Sequence, residues 1–203
     1  APAFWSNPRD LRARALAPLG ALYARATARR LARGEYARVG VPVICVGNLS
    51  AGGTGKTPTC IAVAGMVRDR FVQPHIVTRG YGGTLEGPVR VDPARHRADQ
   101  VGDEALLMAA FAEVWVAKDR AAGGRAAQEA GAGAVILDDG FQNPALAQDL
   151  AIVVVDAEVG FGNGRCLPAG PLREPSAVGL ARADLLVSLG GPFAADLPRA
   201  WGV

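Results

Sequence analysis

Past Gly40 the chain runs as short apolar blocks set apart by longer stretches of mixed polarity. The blocks are VPVICV (41–46), HIVTR (75–79), EVWVA (113–117), AVILD (134–138), AIVVVD (151–156) and DLLVS (184–188). Each is too short for a buried helix and rich in Val and Ile. Near-continuous apolarity over that length predicts strands covered on both faces. Residues 57–70, 103–112 and 119–130 lie between blocks and have helical length. Buried strands alternating with crossover helices predict an α/β fold with a mostly parallel, doubly wound sheet. Within the Ala-rich stretch 121–134, Gly123-Gly124 are expected to weaken the helix.

The first forty residues follow another pattern. Residues 8–33 predict a helix with a break or kink at Pro18-Leu19-Gly20. Its apolar positions (Leu11, Leu16, Leu19, Leu22, Tyr23, Leu31) alternate with arginines. An amphipathic helix lying on an anionic lipid surface has this pattern. So has a surface helix that caps a domain and points its arginines to water. The expected organisation is a helical arm over 1–40 and a nucleotide-binding domain over 41–203. Residues 158–175, EVGFGNGRCLPAGPLREP, are too rich in Gly and Pro for regular structure, and a loop of that length inside a domain is usually functional or disordered.

Charge sharpens the division. The arm carries eight arginines against Asp10 and Glu35, a net of +6, whereas the other 163 residues carry 14 basic and 17 acidic groups, a net of −3. The basic pI therefore belongs to the arm, and no nucleic-acid partner is expected from it. No obligate protein partner is evident. The three cysteines have neither metal nor redox spacing, and Cys45 in a strand and Cys60 in a helix read as apolar fillers of a chain in a reducing compartment. The opening Ala-Pro-Ala-Phe-Trp lacks the charged and apolar regions of a secretory signal. No apolar run reaches the roughly 18–20 residues of a transmembrane helix.

The chemistry is concentrated in GNLSAGGTGKTP (47–58), where a strand runs into a glycine-rich turn and then a helix. Gly52, Gly53 and Gly55 let successive backbone N–H groups converge on one anion, and the helix start adds positive potential. With Ser50, Ala51 and Thr54 these complete a phosphate loop for a nucleotide. Lys56 reaches the β- and γ-phosphates, and the Thr57 hydroxyl ligates Mg2+. The motif G-x-x-x-x-G-K-[ST] calls for Gly where Ser50 stands, and partitioning-type ATPases place a Lys where Ala51 stands. AVILDDGFQN ends a strand in Asp138-Asp139, as a Walker B strand does: Asp138 reads as facing the metal, and Asp139 as holding water, substrate or a neighbouring loop. No guanine-reading N-K-x-D stretch occurs, which favours ATP. Arg79 and Arg120 are candidates either for phosphate contact or for structural ion pairs. His75 and His96 read as structural.

GNLSAGGTGKTP is followed in order by VTRGYGG (77–83), VGDEALLMA (101–109), VAKDRAAGGRAA (116–127), ILDDGFQN (136–143) and FGNGRCLPAGPLREP (161–175). Together these resemble the tetraacyldisaccharide 4′-kinases of lipid A biosynthesis over almost the whole chain. The resemblance implies transfer of the γ-phosphate of ATP to the 4′-hydroxyl of a tetraacylated glucosamine disaccharide 1-phosphate, giving lipid IVA. It implies a peripheral enzyme at the cytoplasmic face of the bacterial inner membrane, which gives the basic arm a purpose. It also accommodates Ser50. Asp103 matches the general base and Glu104 a residue of the Mg2+ shell, with Lys56 and Asp139 completing the catalytic set. Arg79, Arg120, Asn163, Arg165 and Arg173 become candidates for the substrate's sugar and phosphate groups. Family chains continue into a second, smaller α/β region with a His that works beside the Asp base. Neither His75 nor His96 matches it, so the chain is expected to be a fragment or a shortened form. The rival readings are a partitioning-type or metal-chaperone ATPase switch, and a membrane-binding module with a degenerate nucleotide site.

Overall fold

The computed structural model describes residues 1–191. The predicted domain's last stretch, 192–203, lies outside the described residues. Seven strands are present among them: β1 (Val43–Gly47), β2 (Pro74–Thr78), β3 (Val89–Arg90), β4 (Glu113–Val116), β5 (Ala134–Asp138), β6 (Leu150–Asp156) and β7 (Leu185–Leu189). The helices are α1 (Leu11–Ala15), α2 (Ala17–Ala32), α3 (Lys56–Arg68), α4 (Ala98–Val101), α5 (Asp103–Ala109), α6 (Arg120–Glu129) and α7 (Ser176–Leu180). The expected blocks correspond to β1, β2 and β4 to β7, displaced by one or two residues at most. The mostly parallel α/β fold is as the pattern predicts.

The chain forms two compact units, Glu35–Gly47 with Lys56–Leu150, and Ala1–Gly34 with Asn48–Gly55 and the described residues from Ala151 onward. This division differs from an arm over 1–40 and a domain over 41–203, because the N-terminal helices share a unit with the described residues from Ala151 onward.

In the larger unit the strands run β3-β4-β2-β5-β1. β1, β5, β2 and β4 are parallel, with Val43 opposite Val135 and His75 opposite both Val135 and Glu113. The two-residue β3 adds an antiparallel edge on β4. All five positions of β2 and of β5 are buried, as strands covered on both faces require. Gly123 and Gly124 do not break α6. A Cβ on Gly123 would come within 2.7 Å of the Val77 and Ala117 side chains, and one on Gly124 within 2.9 Å of Leu146. Glycine there lets α6 lie close against β2.

In the smaller unit β6 and β7 pair in parallel, Ile152 opposite Leu185 through Asp156 opposite Leu189. The helical arm breaks at Leu16, which ends α1 and begins α2, rather than at Pro18-Leu19-Gly20. Pro18 falls in the first turn of α2, where an N–H would lack an intrahelical acceptor anyway, so it starts a helix instead of kinking one. Asp10 caps α1 by accepting from Arg12 N at 2.8 Å. Gly20 is buried, and a Cβ there would lie 2.8 Å from the Cys166 carbonyl oxygen. One face of α2 is thus committed to the loop at 165–169. The other exposes Leu19, Leu22 and Tyr23, with Leu11 exposed on α1.

Candidate active site

The phosphate loop leaves β1 at Asn48 and enters α3 at Lys56, one residue earlier than the sequence pattern predicts. Gly52 and Gly55 take φ of +137° and +80°, a region where side chains are strained. Nothing lies within 4 Å of a Cβ built on Gly52 or Gly53, so the turn is uncrowded at those two positions. Asn48 is fully buried, and its Nδ2 donates to Thr54 Oγ1 at 2.9 Å, which closes the loop on itself. Ser50 and Ala51 form the arm that enters the turn, where Ala51 N donates to Pro171 O at 2.7 Å. Thr57 is half-buried in the first turn of α3.

In the larger unit Lys56 Nζ stands 3.9 Å from Oδ1 of Asp139, a residue of φ +52° just past β5. Asp138 is turned inward and only 3% exposed. Its Oδ2 accepts from Thr78 Oγ1 at 2.8 Å and its Oδ1 faces Cys60 Sγ at 3.7 Å. Burial pushes Asp138 above the ordinary carboxylate range, against the Thr78 bond, and the charge of Asp139 adds to the shift. Asp139, not Asp138, is therefore the carboxylate presented to Lys56.

Asp103 begins α5, exposed, its Oδ1 accepting from Glu104 N at 2.9 Å. Partial burial, and after it the charge of Asp138, hold Glu104 above its usual range, with Asp103 and Asp139 adding and Lys56 opposing. The backbone explains why these residues meet. Gly102 has φ +90°, and a Cβ on it would lie 2.5 Å from Tyr81 O; one on Gly83 would lie 2.5 Å from Gln100 O. Thr84 N and Leu85 N donate to Asp99 O and Gln100 O. The glycines of VTRGYGG and VGDE thus let the two segments run in backbone contact, which brings α5 to the carboxyl ends of the parallel strands. Clustered negative charge offset chiefly by Lys56 and Arg120 fits a divalent cation. Among the described residues no three acidic, His or Cys side chains form a ready-made cage, and Mg2+ does not need one, since it is held by one or two carboxylates together with phosphate oxygens and water.

The arginines separate. Arg79 is exposed beside exposed Tyr81. Arg120 is 2% exposed, Nη1 donating to Ala117 O at 2.6 Å and Nη2 to Asp138 O at 3.4 Å. Its Nε has no hydrogen-bond partner, but the bonds of the guanidinium go to the ends of β4 and β5, so the expectation of a phosphate or substrate contact is corrected to a brace under the Asp138 backbone. Asn163 is corrected as well. It is buried, Nδ2 donating to Phe4 O (3.1 Å) and Ala169 O (2.9 Å) while Oδ1 accepts from Arg165 N. Those bonds tie the long loop to the chain's start and engage both the donor and the acceptor group of the amide. Arg173 lies in the smaller unit, its N–H donating to Leu49 O at 2.7 Å. His75 and His96 accept at Nδ1 from Trp115 Nε1 and Asp92 N. The three cysteines are buried thiols, and burial raises Cys60 and Cys45 far above the range of a reactive thiol. Sequence reasoning misses Thr78 and Asn48. Their only signal is position, at a strand's last residue and at the loop's first.

The site can be set beside known proteins. A curated tetraacyldisaccharide 4′-kinase of Dinoroseobacter shibae is 65% identical over 205 residues, covering 99% of this chain and 61% of that protein. One of Jannaschia sp. is 60% identical, covering 100% and 62%. The chain thus spans about three fifths of the length of these relatives. A crystal structure of LpxK from Aquifex aeolicus in complex with ATP superposes with a TM-score of 0.79 at 33% identity, covering 93% of this chain and 64% of that one. The model of the tetraacyldisaccharide-1-P 4′-kinase family (LpxK) matches residues 12–201. With that match over nearly its full length, the chain belongs to the tetraacyldisaccharide-1-P 4′-kinase family.

Proposed function

We propose that this chain is the nucleotide-binding part of a lipid kinase that moves the γ-phosphate of ATP to the 4′-hydroxyl of a tetraacyldisaccharide 1-phosphate, giving lipid IVA. The observation that carries the reading is the gathering of Lys56, Asp103, Glu104, Asp138 and Asp139 at one end of the parallel strands, within a chain of this family. The loop amides and Lys56 bind the phosphates and stabilise charge on the transferring group. Asp103, exposed at a helix start, accepts the proton of the sugar hydroxyl and aligns its oxygen. Mg2+, held by Thr57 with Asp138 and Glu104, would neutralise negative charge on the β- and γ-phosphates. Arg79 and Arg173 are the arginines assigned to the substrate's phosphate or sugar groups.

The substrate is an anionic lipid, and the reading extends to where the chain works. No helix of the described residues is long and apolar enough to cross a membrane. The exposed Leu11, Leu19, Leu22 and Tyr23, with exposed arginines on the same two helices, support peripheral binding at the cytoplasmic face of the inner membrane.

The test is transfer of labelled γ-phosphate from Mg-ATP to the lipid in detergent micelles, with Lys56→Ala alongside. It is run on this chain and on a chain extended to the length of its relatives. Label on the lipid, lost in the variant, is the expected result. Transfer that survives Lys56→Ala, or ATP consumption by the extended chain that needs no lipid, overturns the reading.

A further inference from the structure

The phosphate loop is not held by its own residues alone. Residues 171–173 run antiparallel to 49–51: Ala51 N donates to Pro171 O and Arg173 N to Leu49 O, each at 2.7 Å, with Ser50 bridged to Leu172. Leu172 is fully buried and is fixed from behind, its N–H donating to Arg165 O and its carbonyl accepting from Leu167 N. The Gly/Pro-rich segment, read from sequence as a substrate loop, thus gives its last residues to the arm of the phosphate loop.

The next residue is Glu174, a carboxylate 2% exposed. Both its oxygens accept from Arg182 Nη2, at 2.6 and 2.7 Å. Arg182 follows α7, and α7 itself presses on the loop, since a Cβ on Gly179 would collide with the Leu49 side chain. A buried carboxylate is retained only when paired, so Arg182 helps to fix the position of 174. One residue separates that ion pair from the Arg173–Leu49 hydrogen bond.

We propose that Glu174 and Arg182 are positioning residues for the phosphate loop, an ion-paired latch that keeps 171–173 against 49–51 and so presets the loop for a nucleotide phosphate. The inference rests on the nucleotide-binding reading and adds the device that organises that site. Loosening the latch leaves every phosphate-contacting group in place but unfixed, so its signature is weaker nucleotide binding in a folded protein.

The test measures the dissociation constant of a non-hydrolysable Mg-ATP analogue by calorimetry. It compares wild type, Glu174→Gln, Arg182→Lys, Arg182→Met and the Glu174→Gln/Arg182→Met double variant. Near-ultraviolet circular dichroism shows which proteins are folded at the assay temperature. Glu113→Gln is the control, because it breaks the Arg90–Glu113 ion pair between β3 and β4 of the larger unit. Glu174→Gln, Arg182→Met and the double variant are each expected to bind about tenfold more weakly, in the range of coupling through a packed network. Arg182→Lys is expected to fall between wild type and Arg182→Met, and the double variant to be no worse than the poorer single one. The control is expected to bind as wild type does. Folded latch variants that bind like the wild type overturn the proposal, as does a strictly additive double variant. Absence of binding by the wild-type chain overturns the nucleotide reading itself, and the latch with it.

Discussion

Lys56 Nζ and Asp139 Oδ1 are 3.9 Å apart, and the lysine side chain is only 13% exposed. An ammonium so far removed from water needs a counter-charge, and before a phosphate arrives Asp139 supplies it. A nucleotide then replaces one anionic partner by another. Lys56→Ala is expected to weaken ATP binding by a factor on the order of 10–100, the range for charge-assisted hydrogen bonds. Asp139→Asn is expected to keep ATP affinity within a few-fold while slowing transfer in the extended chain. Calorimetry on the two variants decides. A collapse of binding in Asp139→Asn would make Asp139 a ligand of the nucleotide or its metal instead of a resting partner for the lysine.

Asp138 carries a prediction about pH. Its folded-state pKa is raised, first by burial, then by Asp139, against the Thr78 hydrogen bond and the charges of Lys56 and Arg120. A raised carboxylate contributes stability that is fully present below its unfolded pKa and lost as pH rises through the folded one. At neutral pH the ligand-free protein therefore lacks that contribution and bears the cost of a buried carboxyl at position 138. Asp138→Asn, which keeps an acceptor for Thr78, is expected to raise the neutral-pH thermal midpoint by a few degrees. The difference from wild type should shrink as pH falls toward the ordinary Asp range, and Mg-ATP affinity should drop. Thermal scans at several pH values check this, and a midpoint lowered at neutral pH would contradict it.

How much of this is legible in the sequence depends on how local each signal is. The six long strands are defined by runs of apolar residues that carry their own evidence of burial, and each lies within two residues of its expected place. β3 has two residues, too few for any period. The phosphate loop shows because its glycines and lysine must be consecutive. Arg120 and Asn163 mislead for a physical reason. A polar side chain written into a motif looks the same whether it faces a ligand or a backbone carbonyl, and only the packing of α6 on β2, or of the long loop on Phe4, decides. Asp119 is the clue that bears on Arg120. It caps α6 by accepting from Ala121 N at 2.8 Å, which puts Arg120 at a helix start that folds back toward the strand ends.

The reassignment of Arg120 predicts a split between stability and binding. Arg120→Met removes the donors to two buried carbonyls, Ala117 O and Asp138 O, at about 1–3 kcal/mol for each acceptor left unpaired. Removal of a desolvated charge offsets part of that, so a net loss of about 2 kcal/mol is expected. Arg120→Lys should recover little of it, because a single ammonium does not reproduce the planar fork. Urea unfolding measures the loss. Unchanged stability with a large loss of ATP affinity would return Arg120 to the phosphates.

Two glycines inside helices are predicted to respond in opposite senses to the same change. By helix propensity alone, Gly→Ala stabilises a helix interior by about 1 kcal/mol. Gly65, in α3, has nothing within 4 Å of the position a Cβ would take, so Gly65→Ala should gain about 0.5–1 kcal/mol. Gly20, in α2, would set its Cβ 2.8 Å from the Cys166 carbonyl oxygen and 3.3 Å from Ala169 Cβ. A backbone carbonyl does not rotate aside as a long side chain does, so α2 must lift from the loop at 165–169. Overpacking of that kind costs about 1–3 kcal/mol, which outweighs the propensity gain, and Gly20→Ala should destabilise. The loss should be local: urea unfolding shows the sign for both variants, and hydrogen exchange should show faster amide exchange in α2 for Gly20→Ala alone. Stabilisation by both substitutions would mean that α2 does not bear on that carbonyl in solution.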